Sequence, residues 1–416
     1  MTCPITRRFF LREATGAAVA STVASEVIAE PAGIADDFWT MVRRQFTFSE
    51  AKVPMNAANL CPSPRIVAER VAELTRSIDR DCSFQNRAQT ADWLEASRAA
   101  VAAQMGVNTD EIALVRNTSE ANNVINNGLT LEAGDEVVAW DQNHPTNNVA
   151  WRVRAARFGF GVRRVSTPAS PKSVDELVDT FTRAFTAKTR VLTITHVSNT
   201  SGIRLPVKAL CEAAHKRNIH VHVDGAQTWG ALDVNLREMG CDSYSASAHK
   251  WFMGPKEVGL LYVRRDRIER IWPNVVSVGW GEQIEPAAKG ARKFETLGQR
   301  DDAALAAVAV AVEFIHAIGQ RRVESRVQEL AQLFKNHLHE MGLSLVTPLD
   351  ESLSAGVCIV AVPPDRRAPI FDRLYREYGI AGAPTGGLRL CPHIYNTKAH
   401  VQRAVAAIKA MRHLFT

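Results

Sequence analysis

Cysteine is scarce and scattered: the 416-residue chain holds seven, and no C-x-x-C pair occurs among them. Neither a zinc cluster nor a disulfide framework is therefore expected. No apolar run reaches the roughly 18 residues that a membrane-spanning helix needs. Long blocks of one charge are missing as well. The net charge is only +6, and Arg264-Arg265-Asp266-Arg267 reads as a solvated turn rather than a nucleic-acid surface. No metal and no nucleic-acid partner is expected. Internal repeats are also lacking, and low complexity is confined to the first residues. What remains is an ordinary globular balance, 46% apolar and 23% charged. The chain is long enough for a large core and two domains.

The N-terminus departs from this plain composition. Arg7-Arg8 and Phe10-Leu11-Arg12 lead into an Ala-rich, weakly apolar stretch that ends in small residues near Val27-Ile28-Ala29. That order of basic, apolar and small regions is expected to be a twin-arginine export signal over residues 1–29, with an amphipathic first helix as the plainer alternative. The signal implies the twin-arginine machinery as a partner and a periplasmic location. Such export carries a folded passenger, so it fits a protein that takes up a tightly held cofactor before crossing.

Seven short β-branched runs alternate with helical patterns between residues 111 and 264. They are 111–117, 136–142, 161–167, 190–198, 219–225, 241–247 and 259–264. Helical periodicity is clearest over 174–185 and 206–218, the second opening on Pro206 in a first-turn position. This alternation predicts an α/β fold with a mostly parallel, doubly wound sheet of seven strands. From about residue 300 the pattern changes to two long helices, at 301–319 and 323–342, then two strands and a terminal helix over 398–413. The expected division is a large domain over 30–295, with 30–65 packing near the active site, and a smaller α+β domain over 296–416.

Ligands of open α/β sheets bind at the carboxyl ends of the strands. Five of those ends are unusually polar here: "RNTSEANN", "NHPTNN", "HVSNTSG", "VDGAQ" and "SASAHK". The last places Lys250 among small residues, with an apolar Trp251-Phe252-Met253 run behind it. Burial disfavours an ammonium ion, so such a lysine becomes a nucleophile toward an aldehyde. Pyridoxal 5'-phosphate is the expected aldehyde. Its ring nitrogen needs a carboxylate, which Asp224 offers, and Gln227 is placed to donate to its phenolate oxygen. Thr118, Ser119 and Glu120 open a helix whose N–H groups suit a phosphate, with Ser247 and His249 on the other side. His144 is placed to lie on the face of the ring. Each residue alone has an ordinary structural reading as a cap, a paired charge or a packed histidine. Their order on successive strand ends is what makes the set specific.

These motifs, with "SASAHKWFMGPKEVGLLYVR" and "RLCPHIYNT", resemble the class V aminotransferase family of fold-type I pyridoxal-phosphate enzymes over nearly all of the chain after the leader. Within it the chain is similar to the isopenicillin N epimerase-like branch and to the periplasmic enzyme that modifies the pyoverdine side chain. The resemblance implies that Lys250, Asp224 and His144 are catalytic. It also implies that Asn199 lies near the cofactor ring and that Arg389 binds a substrate carboxylate. Asn59, in the segment 55–64, is expected at the substrate entrance. A homodimer with active sites at its interface is implied too. Relatives often carry Gly-Thr where this chain has Gly298-Gln299, and Gln299 takes the place of a threonine that reaches the neighbouring subunit's phosphate. The stretch before Arg389, "YGIAGAPTGGLRL", has no cysteine, so desulfuration is not expected, and Cys391 reads as packing. The expected activity is of aminotransferase type, at the amino group and Cα of an amino-acid-type substrate. Epimerase or lyase action is the alternative, and a cofactor-binding protein without turnover is a third reading.

Overall fold

A computed structural model describes residues 32–277 and 288–415. The expected leader at 1–29 lies outside the described residues. Eleven strands occur among them: β1 (Val53–Pro54), β2 (Ile112–Val115), β3 (Glu136–Trp140), β4 (Gly161–Val165), β5 (Thr189–Thr195), β6 (His220–Asp224), β7 (Ser243–Ser247), β8 (Gly259–Val263), β9 (Cys358–Val360), β10 (Ile380–Ala381) and β11 (Leu388–Leu390). β2 to β8 form one seven-stranded sheet in the order β2-β8-β7-β6-β5-β3-β4. Only β8 runs antiparallel to its neighbours. All seven strands read from the sequence are present.

The strand sequences explain the layering. β2, β7 and β8 are buried along their whole length, as strands covered by helices on both faces must be. β4 is the exposed edge. Its Gly-Val-Arg-Arg-Val sequence puts charge there, and Arg163 pairs with Glu136 of β3, which blunts the edge against further pairing. The chain order turns back between β3 and β5, and that reversal opens the crevice in which a doubly wound sheet binds its ligand.

Three local expectations are corrected, and one pairing had not been expected. Pro206 is the N-cap of the helix Val207–His215 rather than its first turn. The single helix expected over 301–319 is two, Asp302–Ala306 and Val308–Ile318. Ser97 of the neighbouring helix causes the break, donating to Ala306 O at 3.1 Å and accepting from Ala309 N at 3.2 Å. A side chain inserted in this way interrupts the i→i−4 ladder. The Arg264–Arg267 stretch is not merely a solvated turn. Arg264 and Arg267 each reach Oδ1 of fully buried Asp242 at 2.9 Å, and His215 holds its other oxygen at 2.9 Å. Finally, β1 and β10 form a parallel pair that two-residue strands could not announce.

The C-terminal elements enclose a second core that includes Phe334, Val360, Ile370, Leu388 and Ile408. Val53 and Met55 belong to it. The N-terminal segment therefore leaves this core and runs on at once toward the crevice, where Asn56, Ala58 and Asn59 meet the sheet.

Candidate active site

β6 ends on Asp224, and Gly225 follows it. A Cβ on Gly225 would lie 1.9 Å from the Tyr244 ring, so only glycine lets β6 turn while Tyr244 stays buried. Asp224 is 1% exposed. Its carboxylate accepts from Asn122 Nδ2 at 2.9 Å and from the Ala226 N–H at 3.0 Å.

β7 leads into the lysine loop. The Ala248 N–H donates to Val258 O at 2.8 Å, and the Met253 and Gly254 N–H groups close the turn onto Lys250 O and Ala248 O. The apolar run after Lys250 is core: Trp251, Phe252 and Met253 are buried, and Phe252 stacks on Trp229 with ring centroids 3.9 Å apart. This packing fixes the loop and leaves Lys250 facing a cavity of about 280 Å³. Burial lowers the proton affinity of Lys250, Asp224 opposes that, and the nearby Arg389 charge adds to it. Among the described residues its Nζ makes no hydrogen bond or ion pair.

The cavity brings together Asn59, Thr118, Ser119, His144, Asn199, Asp224, Gln227, Ser247, His249 and Lys250. At one end the helix Thr118–Gly128 begins. Ser247 Oγ accepts from the Thr118 N–H at 2.8 Å and lies 2.6 Å from Thr118 Oγ1. His249 stands beside them on the cavity wall, its imidazole pushed down to about 4 by burial and by the Lys250 and Lys256 charges. His144 caps the helix Pro145–Phe158, and its Nδ1 accepts from the Thr146 N–H at 3.3 Å. A neutral ring then carries its proton on Nε2. Burial and the Lys250 charge hold this imidazole below the usual histidine range, against the pull of Asp224. Gln227 is oriented from both ends: its Oε1 accepts from Trp251 Nε1 at 2.8 Å, and its Nε2 donates to Ala58 O at 3.0 Å.

Arg389 stands behind this wall. It donates to Asn199 O at 2.9 Å and to Asn56 Oδ1 at 3.1 Å, and its charge is felt at Lys250 and His144. Arg389 is thus not among the residues that line the cavity, and two further expected residues do not reach it. The Glu120 side chain turns back to the Arg116 backbone N–H at 2.6 Å and to its guanidinium at 2.9 Å, and the Glu120 N–H is taken by the Asn117 side chain. Glu120 is therefore a helix-start residue and leaves the phosphate set. Gln299 pairs with Arg87 at 2.7 Å on the surface and does not touch the cavity of its own chain. Asn117, Asn122, Thr146 and Thr195 line the cavity without having been singled out. For Asn122 a signal existed: it stands four residues after Thr118 and so shares its helix face.

The residues present fit pyridoxal 5'-phosphate. An unpaired amine and a buried carboxyl group line one cavity, and hydroxyls cluster at a helix N-terminus. Asn199 Oδ1 and Arg389 Nε are buried and make no hydrogen bond among the described residues. Leaving such a group unmatched costs about 1–3 kcal/mol, and for Asn199, which lines the cavity, a ligand that presents a donor removes that cost.

Residues 68–403 match the family described as aminotransferase class V. The chain is 31% identical over 392 residues to isopenicillin N epimerase of Amycolatopsis lactamdurans, covering 90% of this chain and 98% of that one. The Streptomyces clavuligerus isopenicillin N epimerase is 29% identical over 391 residues, with the same coverage. A probable cysteine desulfurase of Methanothermobacter thermautotrophicus is 27% identical over 304 residues, covering 70% of this chain and 73% of its own. Among solved structures, the apo cysteine desulfurase of Thermococcus onnurineus NA1 superposes with a TM-score of 0.78 at 22% identity, over 89% of this chain and 97% of that one. The lyase C-DES, solved with glycine covalently linked to its cofactor, gives 0.80 at 22% identity, over 88% and 98%. At that identity the two structures speak for the fold. The family match and the epimerase likeness span most of the chain, and the chain belongs to the aminotransferase class V family.

Proposed function

We propose that the protein is a pyridoxal-phosphate enzyme acting at the amino group and Cα of an amino-acid-type substrate. The observation that carries this is Lys250, an unpaired amine of lowered proton affinity that shares one cavity with Asp224. When bound, the cofactor supplies an electrophilic carbon for amines and a ring that takes up the electron pair left at Cα. The protein supplies the rest. Asp224 would hold a proton on the ring nitrogen. Thr118, Ser119, Ser247 and His249 would take the phosphate, and His144 would lie against the ring. Arg389 grips the substrate carboxylate, and Asn199 keeps that guanidinium in place. Lys250, with its amine free, would be the base that takes the Cα proton and the acid that gives a proton back. Asn59 guards the entrance.

Where the proton returns decides the product. Return to the cofactor side gives transamination, the reading favoured here. A proton given to the opposite face of Cα by a second acid would give epimerisation, which the likeness to isopenicillin N epimerase over most of both chains supports as the second reading. Loss of a β-group gives a lyase. Purified protein should be yellow, and borohydride should abolish the colour by fixing the cofactor on Lys250. A label found on another lysine would remove the basis of the reading. A panel of amino acids and siderophore-like peptides, followed by absorbance, keto-acid formation, Cα deuterium uptake and chirality, separates the three branches. Peptides of the pyoverdine kind belong on it because the chain resembles the periplasmic enzyme that modifies that side chain.

Two wider proposals accompany the reading. The chain works in the periplasm after folded export, which the Arg7-Arg8 leader pattern supports. It acts as a homodimer. Gln299 lies outside its own cavity, and the helix Pro145–Phe158 leaves Val149, Val153 and Phe158 44%, 58% and 46% exposed. Both observations support a neighbouring subunit at the site.

A further inference from the structure

Behind Asp224 runs a chain of buried polar groups that the reaction itself does not use. Asn122 Nδ2 donates to Asp224 Oδ2 at 2.9 Å. The other end of the same amide, Oδ1, lies 2.8 Å from His222 Nε2 and 2.5 Å from Ser245 Oγ. His222 Nδ1 is 2.9 Å from Ser243 Oγ, which is 3.1 Å from His220 Nε2. Asn122, His222, Ser243 and Ser245 are 2% exposed or less, so water does not offer alternative partners.

One arrangement of protons satisfies every contact. A carboxylate and an amide oxygen only accept, so Asn122 donates to Asp224 while His222 Nε2–H and Ser245 Oγ–H both donate to Asn122. His222 Nδ1 is then an acceptor, which obliges Ser243 to donate to it. The Ser243 oxygen in turn accepts from His220 Nε2–H. Burial pushes the His222 imidazole down to about 3, so it is neutral and has a single N–H to give. Turning the Asn122 amide over would set its oxygen against Asp224 Oδ2, a contact that exists only if Asp224 is protonated.

We propose that Asn122 is a positioning residue for Asp224, locked in one amide orientation by His222 and Ser245, and that this relay keeps the Asp224 carboxylate aimed at the cofactor's ring nitrogen. The proposal rests on the reading of Asp224 as the ring-nitrogen partner. Without Asn122 the carboxylate keeps one bond, from the Ala226 N–H, and is free to swing on it. A carboxylate that swings no longer meets the ring nitrogen squarely, and the ring nitrogen then holds its proton less firmly.

The test is the ¹⁵N chemical shift of the ring nitrogen in holoprotein reconstituted with ¹⁵N-labelled cofactor, read beside kcat and KM. Asp224→Asn should move the signal fully to the unprotonated position. Asn122→Ala should move it part of the way and lower kcat about tenfold or more with KM nearly unchanged. His222→Leu, which does not touch the cavity, should move it in the same direction, while His222→Gln, whose amide can still donate to Asn122, should restore it. A signal unmoved in Asp224→Asn overturns the assignment of Asp224, and the relay with it. A signal moved there but unmoved in folded Asn122→Ala or His222→Leu overturns the relay alone. Should the variants fail to fold, the wild-type His222 ring decides: an Nε2–H tautomer supports the relay, and an Nδ1–H tautomer overturns it.

Discussion

At the scale of single residues, charge and position are separable. Asp224→Asn keeps size and one hydrogen-bonding group but removes the charge that holds the ring nitrogen protonated. Cofactor occupancy should stay near normal while turnover falls by several powers of ten, since each ~1.4 kcal/mol lost from the transition state costs tenfold. Arg389→Ala should leave the resting spectrum unchanged and raise KM as well as lower kcat, because it removes a charge-assisted grip on the substrate. Spectrum and rate measured on both variants in one assay distinguish the two roles. Near-wild-type turnover in Asp224→Asn would contradict the mapping of "HVDGAQ" onto the ring nitrogen. The meeting of Lys250, Asp224 and His144 in one cavity was legible because Asp224 ends β6 and the other two follow β7 and β3 within four residues. Glu120 was misread because sequence order placed it beside Thr118 and Ser119, whereas the helix start turns its side chain toward Arg116.

At the scale of elements, the site depends on how closely a helix start approaches a strand. Gly259 opens β8 under the start of the helix Thr118–Gly128, where an added Cβ would lie 2.7 Å from Asn117 Cα and 2.8 Å from Ala246 O. Gly259→Ala should push that helix start off the sheet and loosen the Thr118–Ser247 contact. Overpacking of this kind costs about 1–3 kcal/mol. The expected result is a folded protein whose cofactor dissociation constant rises about tenfold, read by spectral titration, and an unchanged constant would mean that the helix start does not hold the phosphate. The seven strands were readable from β-branched runs bounded by turn residues. The break at Ala307 was not, because the interrupting hydroxyl of Ser97 comes from about two hundred residues away in sequence.

At the scale of the whole molecule, buried neutral histidines set the acid limit of the fold. His196, His222 and His393 are 6% exposed or less, and burial pushes them down to about 3, 3 and 4. The unfolded chain binds protons on these rings below about 6.5, where the folded chain does not. With more protons on the unfolded state, stability rises with pH through that window and is lost as pH falls from about 6.5 toward 4. Thermal unfolding of the apoprotein between pH 7 and 4 should therefore show Tm falling, and a flat profile would mean that these rings titrate normally. The same molecule tests export. Arg7→Lys with Arg8→Lys should leave a folded, cofactor-loaded protein in the cytoplasm, and efficient periplasmic delivery of that variant would rule out a twin-arginine signal.

The sequence by itself determined the strand–helix alternation, the sheet class and the five polar strand ends, because periodicity and turn chemistry are local. It also placed an amine, a carboxyl group and a hydroxyl-rich helix start at strand ends, because the carboxyl edge of a parallel sheet collects them whatever the loops do. Only the tertiary structure decided which side chains face the cavity and which face away. It turned Glu120 back onto Arg116 and set Gln299 outside its own site. It brought Asn56 and Ala58 across from the second core, and it joined Asn122 to His222 behind Asp224. Those outcomes depend on partners about a hundred or more residues apart, or on a rotamer chosen by its neighbours. No local pattern carries that information, because a hydrogen bond is fixed by where two groups meet in space rather than by their places along the chain.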